Sequence, residues 1–95
     1  RLFAMARQYD LYLKLTIDVE LIDAEAAELL RMEEPKVRDR VTLLLSGKGY
    51  ADLFTYEGRL ILKDEIVDRL NQILEDKLVL QVCFTEMVIK YFKSK

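Results

Sequence analysis

Residues 78–92 read LVLQVCFTEMVIKYF, and this stretch decides the fold. It is rich in β-branched and aromatic residues and has no Gly or Pro, which favours a strand over a helix. Its apolar residues alternate, but the alternation changes parity at Thr85 and Glu86. Such a change predicts either a β-bulge or a strand covered on both faces. The first set is Leu78, Leu80, Val82 and Phe84, and the second is Met87, Ile89 and Tyr91. An edge strand would expose many of these apolar side chains to water, which is unfavourable. We therefore expect this strand inside the sheet, with helices on at least one side.

A second strand is predicted near residues 10–22, where apolar and polar residues alternate strictly. This pattern is typical of a strand with one buried and one solvated face. Residues 1–9 are apolar without clear periodicity, and two interpretations stay open: a short strand, or a lead-in from a missing upstream segment. Because the sequence begins at Arg1 rather than Met, we expect a fragment of a longer protein.

Helical signals fill the region between the two strands, at residues 24–32, 35–45, 50–53 and 56–74. Asp23 and Thr55 are plausible N-caps, and Pro35 fits a first helical turn. Whether the first two helices are separate or one kinked rod stays open. Gly47 is expected to end a helix in the left-handed conformation. The expected inner faces are Ala26, Ala27 and Leu30; Val37, Val41, Leu44 and Leu45; and Leu62, Ile66, Leu70 and Ile73.

The fold class predicted from this order is a two-layer α/β (α+β) domain. A small sheet contains the strands near 10–22 and 78–92, and three to four helices cover it. Glu65 and Arg69 are expected to form an i,i+4 ion pair on the outside of the longest helix. Ninety-five residues make one domain, residues 1–95, with a single core.

Composition excludes several classes of function. A net charge of −2 leaves no basic surplus to displace counterions from nucleic acid. No run approaches 18 apolar residues, so no segment of this sequence is expected to span a bilayer. The sequence contains no histidine, the commonest general base and metal ligand, and its one cysteine, Cys83, excludes an internal disulfide.

Three features invite a catalytic interpretation, and each has a simpler structural one. Residues 46–49, SGKG, lack the first glycine and the final Ser or Thr of a phosphate loop, so a glycine helix stop is favoured. Cys83 lies mid-strand with no histidine to activate it, which favours a small buried hydrophobe. Glu86 is favoured as an outward-facing residue at a bulge over a buried functional acid. The sequence therefore predicts a non-catalytic interaction domain without a cofactor or a bound metal.

An aromatic cluster, Tyr50, Phe54 and Tyr56, flanks the start of the longest helix. These side chains either close the end of the core or form a contact patch on the surface, and the core interpretation is favoured for each.

Four segments occur in series: LYLKLTIDVEL, EEPKVRDRVTLLLSGKGYADL, TYEGRLILKDEIVDRLNQIL and FTEMVIKYF. Together they resemble the C-terminal, periplasmic domain of the flagellar basal-body protein family FliL, from about Tyr12 to Lys90. The matching positions are Pro35, Arg38 and Asp39 of a PxxRD spacing, LLS at 44–46, TxEG at 55–58, Asn71, and FTE at 84–86.

The resemblance implies a stomatin-like (SPFH) fold and an anchor in the inner membrane through an N-terminal helix that this sequence lacks. It implies a ring of copies around flagellar stator units of the MotA/MotB type, supporting torque, motility and swarming. No catalytic role, cofactor or small-molecule substrate is implied. A ring needs head-to-tail contacts between different patches. The residues expected to make the contacts with the next copy and the stator are Glu25, Glu28, Arg31, Arg38, Phe54 and Tyr56.

Two other functions are kept as alternatives. The first is a stomatin-like membrane scaffold unrelated to flagella, because a shared fold does not fix function. The second is a small hydrolase that relies on Glu86 or Asp64, which predicts a concave pocket around a carboxylate with a raised pKa.

Overall fold

Three strands form one antiparallel sheet in the order β1–β2–β3, and helices cover one of its faces. The computed structural model describes residues 2–8 and 11–91. The strands are β1 (Leu2–Gln8), β2 (Leu11–Leu21) and β3 (Val79–Tyr91). The helices are α1 (Ala24–Met32), α2 (Glu34–Ser46), α3 (Tyr50–Phe54) and α4 (Tyr56–Leu74). The predicted two-layer α+β architecture is confirmed.

The expected interior position of β3 is wrong, because β3 is an edge strand. Residues 2–8 form a strand that takes one side of β2, and β3 takes the other. The hydrocarbon of β3 is nevertheless covered on one face, where α4 packs on it. Val79 and Val82 are buried there, and Phe84, Met87 and Ile89 are partly buried against the core. Helix α4 thus covers the apolar face of an edge strand that would otherwise be exposed to water.

Two β-bulges interrupt the pairing of β2 with β3. Thr16 pairs with Glu86 but Ile17 pairs with Phe84, so Thr85 is the extra residue, and of the two alternatives predicted for this point the bulge is the one that forms. A second bulge leaves Leu80 as the extra residue opposite the Glu20–Leu21 step. It was not predicted, and its consequence is that Leu80 is 57% exposed instead of sharing the inner face with Val82.

The helix ends show where capping was predicted correctly. The Asp23 side chain accepts the Ala26 N–H at 2.8 Å, and the Thr55 hydroxyl accepts the Gly58 N–H at 3.0 Å. Glu33 ends α1 and begins α2, so the two are separate helices. The left-handed prediction for Gly47 is wrong, since its φ is −89°.

The left-handed residue in the described part of the chain is Glu75, with φ 58°, at the end of α4. It turns the chain from α4 towards β3. A non-glycine residue in this conformation carries no pattern that sequence reasoning recognises.

The core lies between the helix-facing side of the sheet and helices α2 and α4. The predicted inner faces of α2 and α4 are confirmed, with Leu44 and Ile73 partly buried at their margins. On α1 only Ala26 is buried, and Ala27 is exposed, contrary to prediction, because α1 lies at the periphery. The buried apolar residues are Leu2, Ala4, Leu13, Leu15, Ile17, Ala26, Val37, Val41, Leu45, Leu53, Leu62, Ile66, Leu70, Val79 and Val82.

Candidate interaction surfaces

Charged side chains form a row over the junction of α1 and α2, and this row contains four of the predicted contact residues. The Arg31 guanidinium pairs with Glu28 on α1, and Arg38 pairs with Glu34 on α2 at 2.8 Å. Arg31 and Glu34 line the same shallow cavity, so the two pairs are neighbours. Glu25 is exposed in the first turn of α1. We call Glu25, Glu28, Arg31, Glu34 and Arg38 the charged row.

Glu28 and Arg31, the pair at the centre of this row, both have shifted pKa values. The hydrogen bond from Arg31, and then its positive charge, lower the pKa of Glu28 below the ordinary value of 4.5. The same hydrogen bond and the opposite charge of Glu28 raise the pKa of Arg31. Both side chains are exposed to solvent, so the pair contributes little to stability and stays available to a partner.

The aromatic corner is formed by Tyr50, Phe54 and Tyr56 where α3 meets α4. The rings of Tyr50 and Phe54 lie 4.6 Å apart between centroids. Phe54 packs partly against the core, but Tyr50 and Tyr56 are both 75% exposed. The core prediction is therefore wrong for the two tyrosines. The single turn of α3 buries Leu53, which leaves Tyr50 on the outer side.

The structure keeps the charged row and the aromatic corner apart. Beside the row, α1 lines a cavity with Val19 and Leu21 near the end of β2. At the other end, Arg59 in the first turns of α4 contacts Met87, which pairs with Leu15. Six residues of β2 separate Leu15 from Leu21, a distance of about 20 Å at ~3.3 Å per residue. The predicted contact residues thus define two surfaces rather than one site.

An ion pair that sequence reasoning missed fixes the turn between α2 and α3. Lys48 Nζ lies 2.7 Å from Glu65 Oε1, and both side chains are largely shielded. Glu65 therefore pairs with Lys48 and not with Arg69 as predicted. The sequence did contain one indication of this pair. Lys48 lies between two glycines in a turn, and a lysine side chain at such a position can reach a neighbouring helix. Periodicity along a single helix does not reveal it.

The SGKG turn offers no phosphate cradle. The Gly47 N–H donates to the Leu44 carbonyl at 3.3 Å, and the Lys48 N–H donates to the Leu45 carbonyl at 3.0 Å. These backbone donors close α2, and the lysine is engaged by Glu65. The helix-stop interpretation fits these contacts, although the stop is not left-handed.

The residues with catalytic interpretations are scattered over the surface. Glu86 is exposed beside the bulge, as its outward-facing interpretation predicts. Cys83 is exposed, so the prediction that it is buried is wrong; it pairs with Asp18 on the sheet face that no described helix covers. Asp64 is exposed on α4. Within residues 2–8 and 11–91, no three Cys, Asp or Glu side chains come together to hold a metal ion.

No helix in the described part of the chain has the length and apolar content needed to cross a membrane. Taken with the surfaces above, the structure defines a small two-layer α+β domain whose exposed features are a charged row and an aromatic corner.

Comparison with known proteins places this domain in a family. Residues 3–89 match the model of the family described as flagellar basal body-associated protein FliL. Flagellar protein FliL of Aquifex aeolicus (strain VF5) is 34% identical over 79 residues, which are 83% of this chain and 49% of that protein. The chain thus spans about half the length of this relative. It belongs to the FliL family of flagellar basal body-associated proteins.

The family match extends the resemblance seen in the sequence. It begins in β1, at residue 3, whereas the quoted segments begin at about residue 12. Residues 3–8, for which a strand and a lead-in were both open, therefore lie within the family's domain and form a strand of its sheet.

Proposed function

We propose that this chain is the periplasmic domain of an inner-membrane-anchored FliL protein that surrounds and supports flagellar stator units. Copies of the domain contact one another in a ring, and the ring contacts stator proteins of the MotA/MotB type. The result is sustained torque, motility and swarming, without catalysis by this domain. Residues 1–95 form the single domain, and the membrane anchor precedes it in the full-length protein.

The observation that carries this proposal, beyond family membership, is the separation of the two candidate surfaces. A closed ring requires two different patches on each copy, facing neighbours on opposite sides. Leu21, near the charged row, and Leu15, near the aromatic corner, lie about 20 Å apart along β2. Charged side chains are suited to selecting a partner, and exposed aromatic side chains are typical anchors of interfaces.

The experiment uses the full-length protein in its membrane. We expect Arg38→Glu, in the charged row, and Phe54→Ala, in the aromatic corner, each to reduce cross-linking between copies or to the stator and to narrow swarming zones. Arg40→Glu is the matched control for the first variant, since it reverses a charge on the same helix outside the row. Ile61→Ala is the control for the second, since it removes an exposed apolar side chain elsewhere on α4.

The assignment of these residues is wrong if both variants cross-link and swarm like the unmodified protein. Normal stator recruitment in a strain that lacks this protein would instead contradict the stator role itself. A stomatin-like scaffold unrelated to flagella is disfavoured by membership in the FliL family. The exposed positions of Glu86 and Asp64 give the hydrolase alternative no support.

A further inference from the structure

A groove runs between α4 and the outer edge of β3, and its first helical residue, Leu60, lies one turn beyond Tyr56 of the aromatic corner. Its walls carry Leu60 and Val67 from the helix and Leu80 and Cys83 from the strand, and Asp64 and Asp68 stand on its helical rim. Leu60 and Leu80 are exposed, and Val67 is partly buried. The groove thus combines apolar side chains from both elements with two carboxylates on its helical side.

Strand β3 forms the floor of the groove, and among the described residues one of its edges has no strand partner. Among the described residues, β3 pairs with β2 alone, so the N–H and C=O groups on its far side have no strand partner. Such a row of donors and acceptors is matched by another extended chain. Strand addition of this kind derives affinity from main-chain hydrogen bonds and specificity from the side chains at alternate positions.

The bulge at Leu80 places an apolar side chain in the lining of the groove. It turns the Leu80 side chain out of the core, where it is 57% exposed at the groove. An added strand places every second side chain on the helical side of the sheet. An apolar side chain there would contact Leu60 and Val67, while a basic side chain would lie beside Asp64 and Asp68. Lys63 also lines the groove, with its Nζ 5.6 Å from the centroid of the Phe84 ring, and the two aspartates outnumber this one ammonium.

Geometry distinguishes a lone peptide from a second copy of this domain. Helix α2 packs over β1 and α4 packs over β3. Pairing the edge of another copy with β3, with its helices on the same face as α4, would bring that copy's covering helix within about one strand spacing, ~4.8 Å, of α4. Packed helices need about 8–10 Å between their axes. The groove therefore accommodates an extended segment that carries no helix above it.

We infer that the groove between α4 and β3 binds an extended segment of a partner protein as a fourth strand. The segment has apolar side chains at alternate positions and a basic residue facing Asp64 and Asp68. This binding site goes beyond the proposed function, which assigns neither the groove nor strand pairing to any partner.

The test uses the 95-residue chain and a synthetic peptide of alternating Val and Thr, about nine residues long, with a Lys at each end. Cys83 is the single cysteine and lies on β3, the strand that the peptide would pair with, so its alkylation reports on occupation of the β3 edge. We expect the peptide to slow alkylation by a factor of about 1 + [peptide]/Kd. We also expect it to shift the backbone amide signals of residues 79–84.

Two controls separate strand addition from nonspecific adhesion. The same peptide with N-methyl groups on the amides that would face β3 cannot form the ladder, and we expect it to give no protection. Leu80→Asp should abolish protection, whereas Leu43→Asp, at an equally exposed leucine on α2, should retain it. Equal urea midpoints for both variants verify that they are folded.

Several outcomes overturn the inference. Absence of protection up to a peptide concentration of about 1 mM, the weak limit of specific binding, is one. Equal protection by the N-methylated peptide, or amide shifts confined to another surface, are others. Protection that appears without peptide and grows with protein concentration would identify a second copy as the occupant. None of these outcomes depends on stator binding, so they do not bear on the proposed function.

Discussion

Asn71 joins the last turns of α4 to the first residues of β3 through its side chain. Its Oδ1 accepts the N–H groups of Leu78 and Val79 at 3.1 and 2.8 Å, and its Nδ2 donates to the Val79 carbonyl at 3.4 Å. Its backbone carbonyl accepts the Asp76 N–H at 3.2 Å. A residue that the sequence analysis identified only as part of a family pattern is therefore the connection that fixes where β3 begins.

Replacing this side chain should lower stability. Asn71→Ala leaves two partly buried N–H groups of β3 without their acceptor, and we expect a loss of about 1–2 kcal/mol in the free energy of unfolding. Urea denaturation measures the change. Gln72→Ala, at the exposed neighbouring position, is the control and should change stability by less than about 0.5 kcal/mol. Equal losses for both variants would contradict the role assigned to the Asn71 side chain.

The ion pair of Glu28 and Arg31 makes a prediction about pH. Because Arg31 lowers the folded-state pKa of Glu28, the ionised carboxylate favours the folded state above the ordinary value of 4.5. That contribution is lost as the pH falls through the lowered folded-state value. NMR titration of Glu28 should give a midpoint below 4.5, and Arg31→Ala should raise it towards 4.5. A midpoint unaffected by Arg31→Ala would show that the pair does not form in solution.

At the scale of elements, the close approach of α3 to α4 depends on Gly58. A Cβ built at this position would lie 2.3 Å from the Ala51 carbonyl oxygen and 2.8 Å from Asp52 Cα. These are backbone atoms, which cannot move aside without displacing α3. The glycine of the TxEG pattern thus allows the short helix to pack, and this contact holds the aromatic corner in place.

We expect Gly58→Ala to destabilise the domain by about 1–3 kcal/mol, because the clash exceeds the ~1 kcal/mol gain in helix propensity. Thermal unfolding followed by circular dichroism measures this. Gly47→Ala is the matched control: its Cβ would lie 3.7 Å from the Leu44 carbonyl oxygen, and its φ of −89° suits alanine. This control should be neutral or stabilising by up to ~1 kcal/mol. A stabilising Gly58→Ala would disprove the close contact.

At the scale of the whole molecule, the core has one sheet face on one side and two helices on the other. The molecule is elongated, with extents of 48 × 27 × 20 Å. The opposite sheet face exposes Phe3 and Met5 and is covered by no described helix. The exposed surfaces are therefore the charged row, the aromatic corner, the groove beside β3 and this uncovered sheet face.

The one-sided core predicts opposite outcomes for two isoleucines on α4. Ile66 is fully buried and Ile61 is 60% exposed. We expect Ile66→Ala to cost about 2–5 kcal/mol and Ile61→Ala less than about 0.5 kcal/mol. Chemical denaturation monitored by tyrosine fluorescence and circular dichroism gives both values. Comparable losses at the two positions would mean that α4 is rotated from the orientation described.

The order of elements from β2 onwards, the bounds of α4 and a parity change near Thr85 that allowed a bulge followed from the sequence, because each depends on local signals. Thr55 caps its own helix, the periodicity of Leu62, Ile66 and Leu70 belongs to one element, and a parity change is visible within one strand. The residues of the two proposed contact surfaces were named from the sequence, but their placement near opposite ends of β2 was not predicted.

Tertiary structure decided what depends on residues distant in sequence. β3 is an edge strand among the described residues because residues 2–8 pair with the other side of β2. Leu80 is exposed at the second bulge, and Cys83 is exposed on the uncovered sheet face. Glu65 pairs with Lys48 rather than Arg69, because the α2–α3 turn brings Lys48 Nζ within 2.7 Å of Glu65 Oε1. The periodicity of apolar residues in the sequence shows which side of a helix or strand is apolar. Only the packed chain determines which neighbour covers that side, and which edge is left for a partner.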